Sequence, residues 1–247
     1  MVNTPPIQQI LFLDIETVSQ HAGYDDLSSS WKDLWDKKAA SILRNDDSKT
    51  PSEIYDRAAI YAEFGKIICI SCGLIKTEGT ERKLVLKSFY GDDEKQILDE
   101  FCEMLSRWTS GNTKKFLCAH NGKEFDYPYL CRRMVIHDIC IPTILQIAGK
   151  KPWEVELFDT MELWKFGDYK SYTSLNLLAH VLNVPSSKED MDGSQVGQAY
   201  WQSHDLERIA RYCEKDVITL TNVFLRMIRE PLIKVEMVEV KEIASDQ

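Results

Sequence analysis

Four consecutive apolar residues at positions 10–13 (Ile-Leu-Phe-Leu) constrain the fold of this chain more than any other feature. They lie within a predicted strand over residues 7–15. A half-exposed strand alternates apolar and polar side chains, whereas a continuous apolar run is typical of a strand that is covered on both faces. The chain has 247 residues, 44% of them hydrophobic, which is enough to bury a sizeable core. We therefore expect a sheet with a layer of structure packed on each face.

Other segments supply the remaining strands and the helices. Apolar runs predict further strands over residues 67–75, 84–90, 116–119 and 155–158. Apolar residues at helical spacing predict helices after Asp93, over residues 125–135 and 175–182, and from about residue 205 to 228. Strands come first and helices finish the chain, so we expect an α/β fold, with a mixed β-sheet and helices on both faces.

The distribution of polar residues predicts the domain organisation. No linker rich in Pro, Gly and Ser divides the chain, so residues 1–247 are predicted to form a single domain. Residues 21–64 are polar and helix-prone with breaks rich in Ser and Asp, which predicts an insertion of short helices. Residues 239–247 are polar and are expected to form a loose tail.

The charge balance excludes one class of function and the cysteines indicate a compartment. There are 30 Lys and Arg against 39 Asp and Glu, a formal charge of −9, which argues against a protein that coats DNA passively. A nuclease is compatible, because bound cations offset the carboxylates of a metal site. Seven scattered cysteines, no signal peptide and no apolar run of about 20 residues predict a reduced, cytoplasmic protein that does not associate with membranes.

Asp14 and Glu16 follow the apolar run at the expected C-terminal end of the first strand. Side chains alternate along a strand, so these two carboxylates point to the same face. Burying both is costly unless a cation binds them, and hard oxygen ligands favour Mg²⁺ or Mn²⁺. The alternative interpretation is a polar strand end that meets water.

Two further segments carry acidic residues in a defined local structure. Asn121 and Gly122 predict a turn after a short strand, and Asp126 then lies near the start of the next helix, where interaction with the helix dipole is the alternative. Tyr212 and Asp216 are four residues apart on the last helix and share one face, where a solvated flank is the alternative. Each segment alone favours the simpler interpretation.

Together the three segments resemble the motifs of the DEDD exonuclease superfamily, in the same order. Tyr212 stands four residues before Asp216, and Arg211 occupies the position where the other branch of the superfamily has His, so the chain resembles the tyrosine (DEDDy) type. It is most similar to the predicted 3′→5′ exonucleases related to the proofreading domain of family B DNA polymerases, over about residues 11–227. This resemblance implies a ribonuclease H-like fold.

The resemblance also implies the site and its chemistry. The catalytic residues would be Asp14, Glu16, Asp126, Tyr212 and Asp216. The four acids would hold two Mg²⁺ or Mn²⁺ ions, and Tyr212 would orient the attacking water rather than act as a base, because an unperturbed tyrosine has a pKa of about 10. The 3′-terminal nucleotide would contact Thr17, Asn121 and Phe125, although Phe125 is equally compatible with a place in the core.

The implied substrate is the 3′ end of single-stranded or frayed DNA, in DNA repair or in proofreading with a polymerase or repair partner in trans. Two alternatives stay open: a 3′→5′ exoribonuclease, and a non-catalytic nucleic-acid-binding subunit of a replication or repair complex. Cys69 and Cys72 suggest half a zinc site, but residues three apart on a strand face opposite sides. We interpret both as core thiols.

Overall fold

The computed structural model describes residues 4–44, 48–79, 81–151, 154–155, 157–168, 172–185 and 191–241. Within these ranges one sheet contains six strands in the order β5-β4-β1-β2-β3-β6. Their bounds are β1 Ile10–Ser19, β2 Gly65–Glu78, β3 Glu81–Tyr90, β4 Phe116–Ala119, β5 Leu157–Asp159 and β6 Val238–Lys241. Seven α-helices are described: α1 Ser29–Ile42, α2 Glu94–Thr109, α3 Asp126–Ile136, α4 Thr160–Lys165, α5 Leu175–Val181, α6 Val196–Trp201 and α7 Leu206–Met227.

The sheet is mixed, as predicted. β1, β2 and β3 form an antiparallel meander, while β4 runs parallel to β1, β5 parallel to β4, and β6 parallel to β3. The pairing of β1 with β4 joins Ile10, Leu11 and Phe12 to residues 116–118 and stops before Asp14. The middle of β1 therefore borders the loop that follows β4.

Helices cover both faces of the sheet, which confirms the expectation from the apolar run. Leu11 and Leu13 face a core cluster that includes side chains of α2 and α3. Phe12 points the other way and packs edge-on against Phe224 of α7, with ring centroids 5.4 Å apart. Burying a side chain of this size contributes about 1.5–3 kcal/mol, so both layers stabilise the central strand.

The bounds of β1 correct the prediction for its end. Residues 7–9 form a 3-10 turn, and the strand continues to Ser19 rather than ending at Ile15. Asp14 and Glu16 therefore lie inside the strand, not at its C-terminal end. The strand continues because its pairing with β2 persists past a bulge between Glu16 and Thr17 and because Val18 is fully buried.

The segment predicted as an insertion contains one helix that is longer than expected. α1 spans 14 residues and is capped by Ser28, whose side chain accepts a hydrogen bond from the Trp31 N–H. Trp35 is fully buried and packs against Tyr55, with ring centroids 5.4 Å apart. This small apolar cluster supports a longer helix than the polar sequence indicated. The single-domain organisation of residues 1–247 stays a prediction.

The expectation of a loose tail from residue 239 is wrong for its first residues. Residues 238–241 form β6, which pairs with β3 along residues 84–87 at the edge of the sheet. Edge pairing uses backbone groups, so the polar side chains of this segment did not indicate it. Residues 242–247 lie outside the described residues. In the described part of the chain, no helix combines the length and the apolarity that crossing a membrane requires.

Candidate active site

Asp14 and Glu16 alternate with the apolar residues of β1 and lie on the face of the sheet that α7 covers. Glu16 is only 7% exposed, and Asp14 is partly buried. Carboxylate oxygens of both residues and the sulfur of Cys213 on α7 all lie within 4.8 Å of one another. The Cys213 thiol also donates to Asp14, with 3.4 Å from its sulfur both to the main-chain oxygen and to Oδ2.

α7 brings Tyr212 and Asp216 to the same place. The helix begins after Asp205, whose side chain caps it by accepting from the Arg208 N–H at 3.2 Å. It approaches β2 closely because residue 73 is glycine: a Cβ there would lie 2.8 Å from Cγ1 of Val217. The Tyr212 hydroxyl hydrogen-bonds the Asp216 carboxylate, one turn further along the helix.

Asp126 lies next to the middle of β1, where the loop after β4 leads into α3. It is the first residue of α3 and is 3% exposed. The backbone N–H groups of Ile15 and of Asp126 itself hydrogen-bond its carboxyl group, and its negative charge acts on Asp14. The structure therefore brings together the five residues that were predicted to be catalytic, namely Asp14, Glu16, Asp126, Tyr212 and Asp216. Their catalytic roles stay predictions.

The acids occupy an environment that penalises their charged forms. Burial, followed by the charges of neighbouring acids, raises the pKa of Asp14 and of Glu16 well above the usual carboxyl range. Burial raises the pKa of Asp126 to about 7, against the effect of its backbone hydrogen bonds. A divalent cation removes both penalties, because it is held by the charged form and neutralises it. The donor set thus fits a metal site.

Tyr212 carries its proton at neutral pH. Burial raises the pKa of its phenol well above 10, and the negative charges of Asp216 and Glu16 raise it further. A phenol in this setting donates a hydrogen bond and does not serve as a free base. This supports the interpretation that Tyr212 orients the attacking water.

Asn121 lies in a turn that Asp159 holds in place. Its φ is +61°, and its N–H and that of Lys123 donate to the two carboxylate oxygens of Asp159, at 3.0 and 3.1 Å. Asp159 also caps α4, which gives this fifth acid a structural use. The side-chain oxygen Oδ1 of Asn121 is buried and has no hydrogen-bond partner within the described residues. An acceptor that is buried and unpaired is costly, which suits a group that meets a ligand.

The other two predicted substrate contacts have partners inside the protein. The Thr17 hydroxyl donates to the main-chain oxygen of Ala59 at 2.9 Å, which ties β1 to the inserted segment. Phe125 is partly exposed, and its ring lies against Tyr129 with centroids 5.3 Å apart. Both residues adjoin the acidic cluster in sequence, but these contacts do not test a role in substrate binding.

Cys213 is the residue of this cluster that the sequence analysis did not identify as a site residue. It was counted among the apolar residues of the last helix, and it is fully buried. Its position three residues before Asp216 was the available signal, because residues three apart on a helix lie on one face. Cys69 and Cys72 lie in core clusters on opposite faces of the sheet, which confirms their interpretation as core thiols.

Comparison with known proteins agrees with this geometry. The sequence model of one family, described as "Predicted 3'-5' exonuclease related to the exonuclease domain of PolB", matches residues 60–241. The matched range starts after β1, so it is shorter than the resemblance predicted from about residue 11. No curated protein matches the chain in sequence.

A solved structure shows the same fold. The family B DNA polymerase from the hyperthermophilic archaeon Pyrobaculum calidifontis is similar with a TM-score of 0.52 and 13% sequence identity, over 93% of this chain. The chain spans 25% of the length of that polymerase. At this identity the similarity shows the fold, a ribonuclease H-like mixed sheet. The family match defines the class: this chain belongs to the predicted 3′–5′ exonucleases related to the exonuclease domain of PolB.

Proposed function

We propose that this protein is a metal-dependent 3′→5′ exonuclease that hydrolyses phosphodiester bonds at the 3′ end of single-stranded or frayed DNA. One observation carries the proposal: acidic residues from β1, α3 and α7 converge beside a protonated tyrosine. Isolated acids at any one of these positions would be unremarkable. Their convergence in a buried place is costly without a cationic partner.

Asp14, Glu16, Asp126 and Asp216 are the proposed ligands of two Mg²⁺ or Mn²⁺ ions. Such ions, when bound, lower the pKa of water and stabilise negative charge on the phosphate. The raised pKa values of Asp14, Glu16 and Asp126 support this assignment, since a metal is the partner that allows all of them to be ionised together. Without a bound cation, some of these neighbouring carboxyl groups would stay protonated, because like charges this close repel.

The residues of the chain supply orientation around the reacting bond. The water oxygen forms a bond to phosphorus as the bond to the 3′ oxygen of the penultimate nucleotide breaks, and that oxygen gains a proton. Tyr212, protonated and held by its hydrogen bond to Asp216, is proposed to accept a hydrogen bond from the water on its phenol oxygen and so to position it. Asn121 Oδ1 is proposed to accept from the terminal sugar, and Phe125 to contact the terminal base. The backbone of Thr17, at the bulge of β1, is the proposed contact of the 3′ hydroxyl.

The setting of the reaction is also part of the proposal. DNA is favoured over RNA because the family is related to a DNA polymerase domain and a solved DNA polymerase shares the fold. A polymerase or repair protein is the proposed partner. All seven cysteines are unpaired, which supports a reducing compartment such as the cytoplasm.

A time course on a 5′-labelled DNA oligonucleotide tests the proposal, with Mg²⁺, with Mn²⁺ and with a chelator. We expect a ladder that shortens from the 3′ end only when metal is present, and no ladder with Asp14→Asn. Glu103→Gln is the matched control, because Glu103 is an exposed acid paired with Arg107 on α2. A labelled RNA of the same sequence, cleaved in preference, would replace DNA with RNA as the substrate. Binding of the oligonucleotide without cleavage in either metal would refute catalysis.

A further inference from the structure

The thiol of Cys213 occupies a place that the proposed hydrolysis leaves without a role. It lies beside two acids of the cluster, with its sulfur 3.4 Å from Asp14 Oδ2 and within 4.8 Å of the Glu16 carboxylate. Mg²⁺ and Mn²⁺ prefer oxygen and have little use for a sulfur ligand. The cluster therefore contains one more potential ligand than those ions require, and of a different chemical type.

Glu16 supplies a second and independent indication of a ligand. Its side chain is 7% exposed, and its carboxylate lies within 4.8 Å of the Asp14 carboxylate and of the Cys213 sulfur. No hydrogen bond to this carboxyl group is found among the described residues, and the carboxylates of Asp14 and Asp216 act on it. A buried carboxylate that lacks compensation from the protein indicates a cation at this place.

Two carboxylates and one thiol are a donor set suited to a thiophilic divalent cation. Zn²⁺ is bound in proteins by cysteine sulfur and by carboxylate oxygen, and three protein ligands leave one position open to water. Cd²⁺ shares this preference and is the more thiophilic ion. The ligands come from two regular elements of the fold, β1 and α7, and Gly73 on the neighbouring strand β2 lets α7 lie close to the sheet. The geometry is therefore present before any ion arrives.

We propose that Asp14, Glu16 and Cys213 form a binding site for a thiophilic divalent cation, Zn²⁺ or Cd²⁺. Bound there, this ion occupies two acids that the nuclease requires for Mg²⁺ or Mn²⁺, and so it inhibits cleavage. The inhibitory part rests on the proposed function; the binding part does not. On binding, the S–H bond of Cys213 breaks, a bond from sulfur to the metal forms, and the proton goes to the solvent.

Cys69 stands behind this site as a neighbour rather than as a ligand. The Cys213 thiol hydrogen-bonds Cys69, whose sulfur lies 3.7 Å from Ser71 Oγ. Ser71 in turn lies 2.8 Å, oxygen to oxygen, from Ser88. Hydrogen bonds from residues behind a ligand hold it in place and tune its affinity for the metal. The sulfur of Cys213 is thus fixed between the acids and a buried chain of polar groups.

Titration of metal-free protein with Cd²⁺ tests the site directly, because a cadmium–thiolate bond produces a characteristic ultraviolet absorption. We expect this absorption in the wild type and its loss in Cys213→Ser, which keeps the shape of the side chain. Cys72→Ser is the matched control: Cys72 is buried on the opposite face of the same sheet, and its variant should keep the absorption. Circular dichroism of both variants establishes that they fold.

Equilibrium dialysis with Zn²⁺ and with Mn²⁺ gives a second measurement that does not depend on cleavage. Cys213→Ser is expected to weaken Zn²⁺ binding by about tenfold or more, while Mn²⁺ binding is maintained. Equal Zn²⁺ affinity in wild type and Cys213→Ser, or no thiolate absorption in the wild type, would overturn the inference even if the protein cleaves DNA. Thiolate absorption in a protein that never cleaves nucleic acid would refute the proposed function and leave this site standing.

Discussion

Single residues of the site divide into acids that need a partner and a phenol that already has one. Asp14, Glu16 and Asp126 all have a raised pKa because burial penalises their charge. Tyr212 keeps its proton, and its hydroxyl donates a hydrogen bond to the Asp216 carboxylate. In the proposed mechanism the acids bind the metal, and the tyrosine holds the attacking water.

Replacing Tyr212 by Phe should slow cleavage without abolishing it. The variant loses one hydrogen bond that involves charged partners, which corresponds to roughly 10- to 100-fold in rate. Single-turnover kinetics on a DNA oligonucleotide measure the loss, with Asp14→Asn as the more severe reference. A Tyr212→Phe rate equal to that of the wild type would remove the phenol from the mechanism.

Replacing Asp126 by Asn should stabilise the metal-free protein at alkaline pH. The pKa of Asp126 in the folded state is about 7, above the value of about 4 for an unfolded chain. The stability that this group contributes is therefore fully present below about pH 4 and is lost as the pH rises through 7. We measure the free energy of unfolding by urea denaturation with chelator present. Between pH 5 and about 8, the value for Asp126→Asn should rise relative to the value for the wild type.

Mn²⁺ provides the control for that experiment. Because a bound cation favours the ionised carboxylate, added Mn²⁺ should raise the stability of the wild type at about pH 8 more than that of Asp126→Asn. An Asp126→Asn variant that loses stability relative to the wild type at alkaline pH would contradict the assignment of a raised pKa.

At the scale of secondary-structure elements, the site depends on how closely α7 lies on the sheet. Gly73 makes that approach possible, since a Cβ at this position would meet Val217 Cγ1 at 2.8 Å and a methyl group of Leu84 at 3.1 Å. The same helix carries Tyr212 and Asp216. A small displacement of α7 therefore changes the distance between the acids of β1 and those of the helix.

Gly73→Ala should weaken both the fold and the site. The overpacked methyl group is expected to cost about 1–3 kcal/mol of the free energy of unfolding, and metal affinity should fall because α7 moves away from β1. Urea denaturation and equilibrium dialysis with Mn²⁺ measure the two effects. Gly91→Ala is the control, because a Cβ there meets nothing within 4 Å. Unchanged Mn²⁺ affinity in Gly73→Ala would show that the helix position tolerates this shift.

The elements were predictable from the sequence to different degrees, for physical reasons. α7 and β4 follow strong local patterns, an amphipathic repeat and a short apolar run, and both were located closely. The end of β1 was not, because Asp14 and Glu16 look like a strand end when their tertiary surroundings are unknown. β6 was missed because its stability comes from pairing with β3 rather than from its own side chains. The end of β1 and the presence of β6 therefore depend on contacts with other parts of the fold, which the local sequence does not show.

At the scale of the whole molecule, a buried ion cluster joins three parts of the fold. Glu94 at the start of α2 accepts from the Ile67 N–H at 2.7 Å and from Arg133 Nε at 2.8 Å. Arg133 also donates to the main-chain oxygen of Ala62 at 2.9 Å, and His137 lies 2.7 Å from Glu94 Oε2. The cluster ties α2 and α3 to β2 and to the segment before it.

Arg133→Met should destabilise the protein strongly. It leaves Glu94 buried without its main partner, which costs about 3–5 kcal/mol. Urea denaturation at neutral pH measures the change. Arg107→Met is the matched control, because it removes an exposed pair with Glu103 that is worth about 0–1 kcal/mol. A loss in Arg133→Met no larger than in Arg107→Met would show that the cluster is replaceable.

Predicting the site as a whole required more than residue spacing. The acids were predicted because three motifs resemble a known family in order and context, not because their distances were calculable, and their catalytic roles stay predictions. The parallel pairing of β1 with β4, which places the Asn121 turn near the acids, has no signature in either strand alone. Cys213 was missed because a cysteine in an apolar stripe is usually part of the core.

Asp14 and Cys213 touch although 199 positions separate them along the chain. A polypeptide emerging from the ribosome presents its first acids long before the helix that completes their cluster has been made. Products that end before α7 therefore hold only some of the proposed ligands. Under the proposed function, cleavage therefore becomes possible only after the last long helix has closed over the central strand.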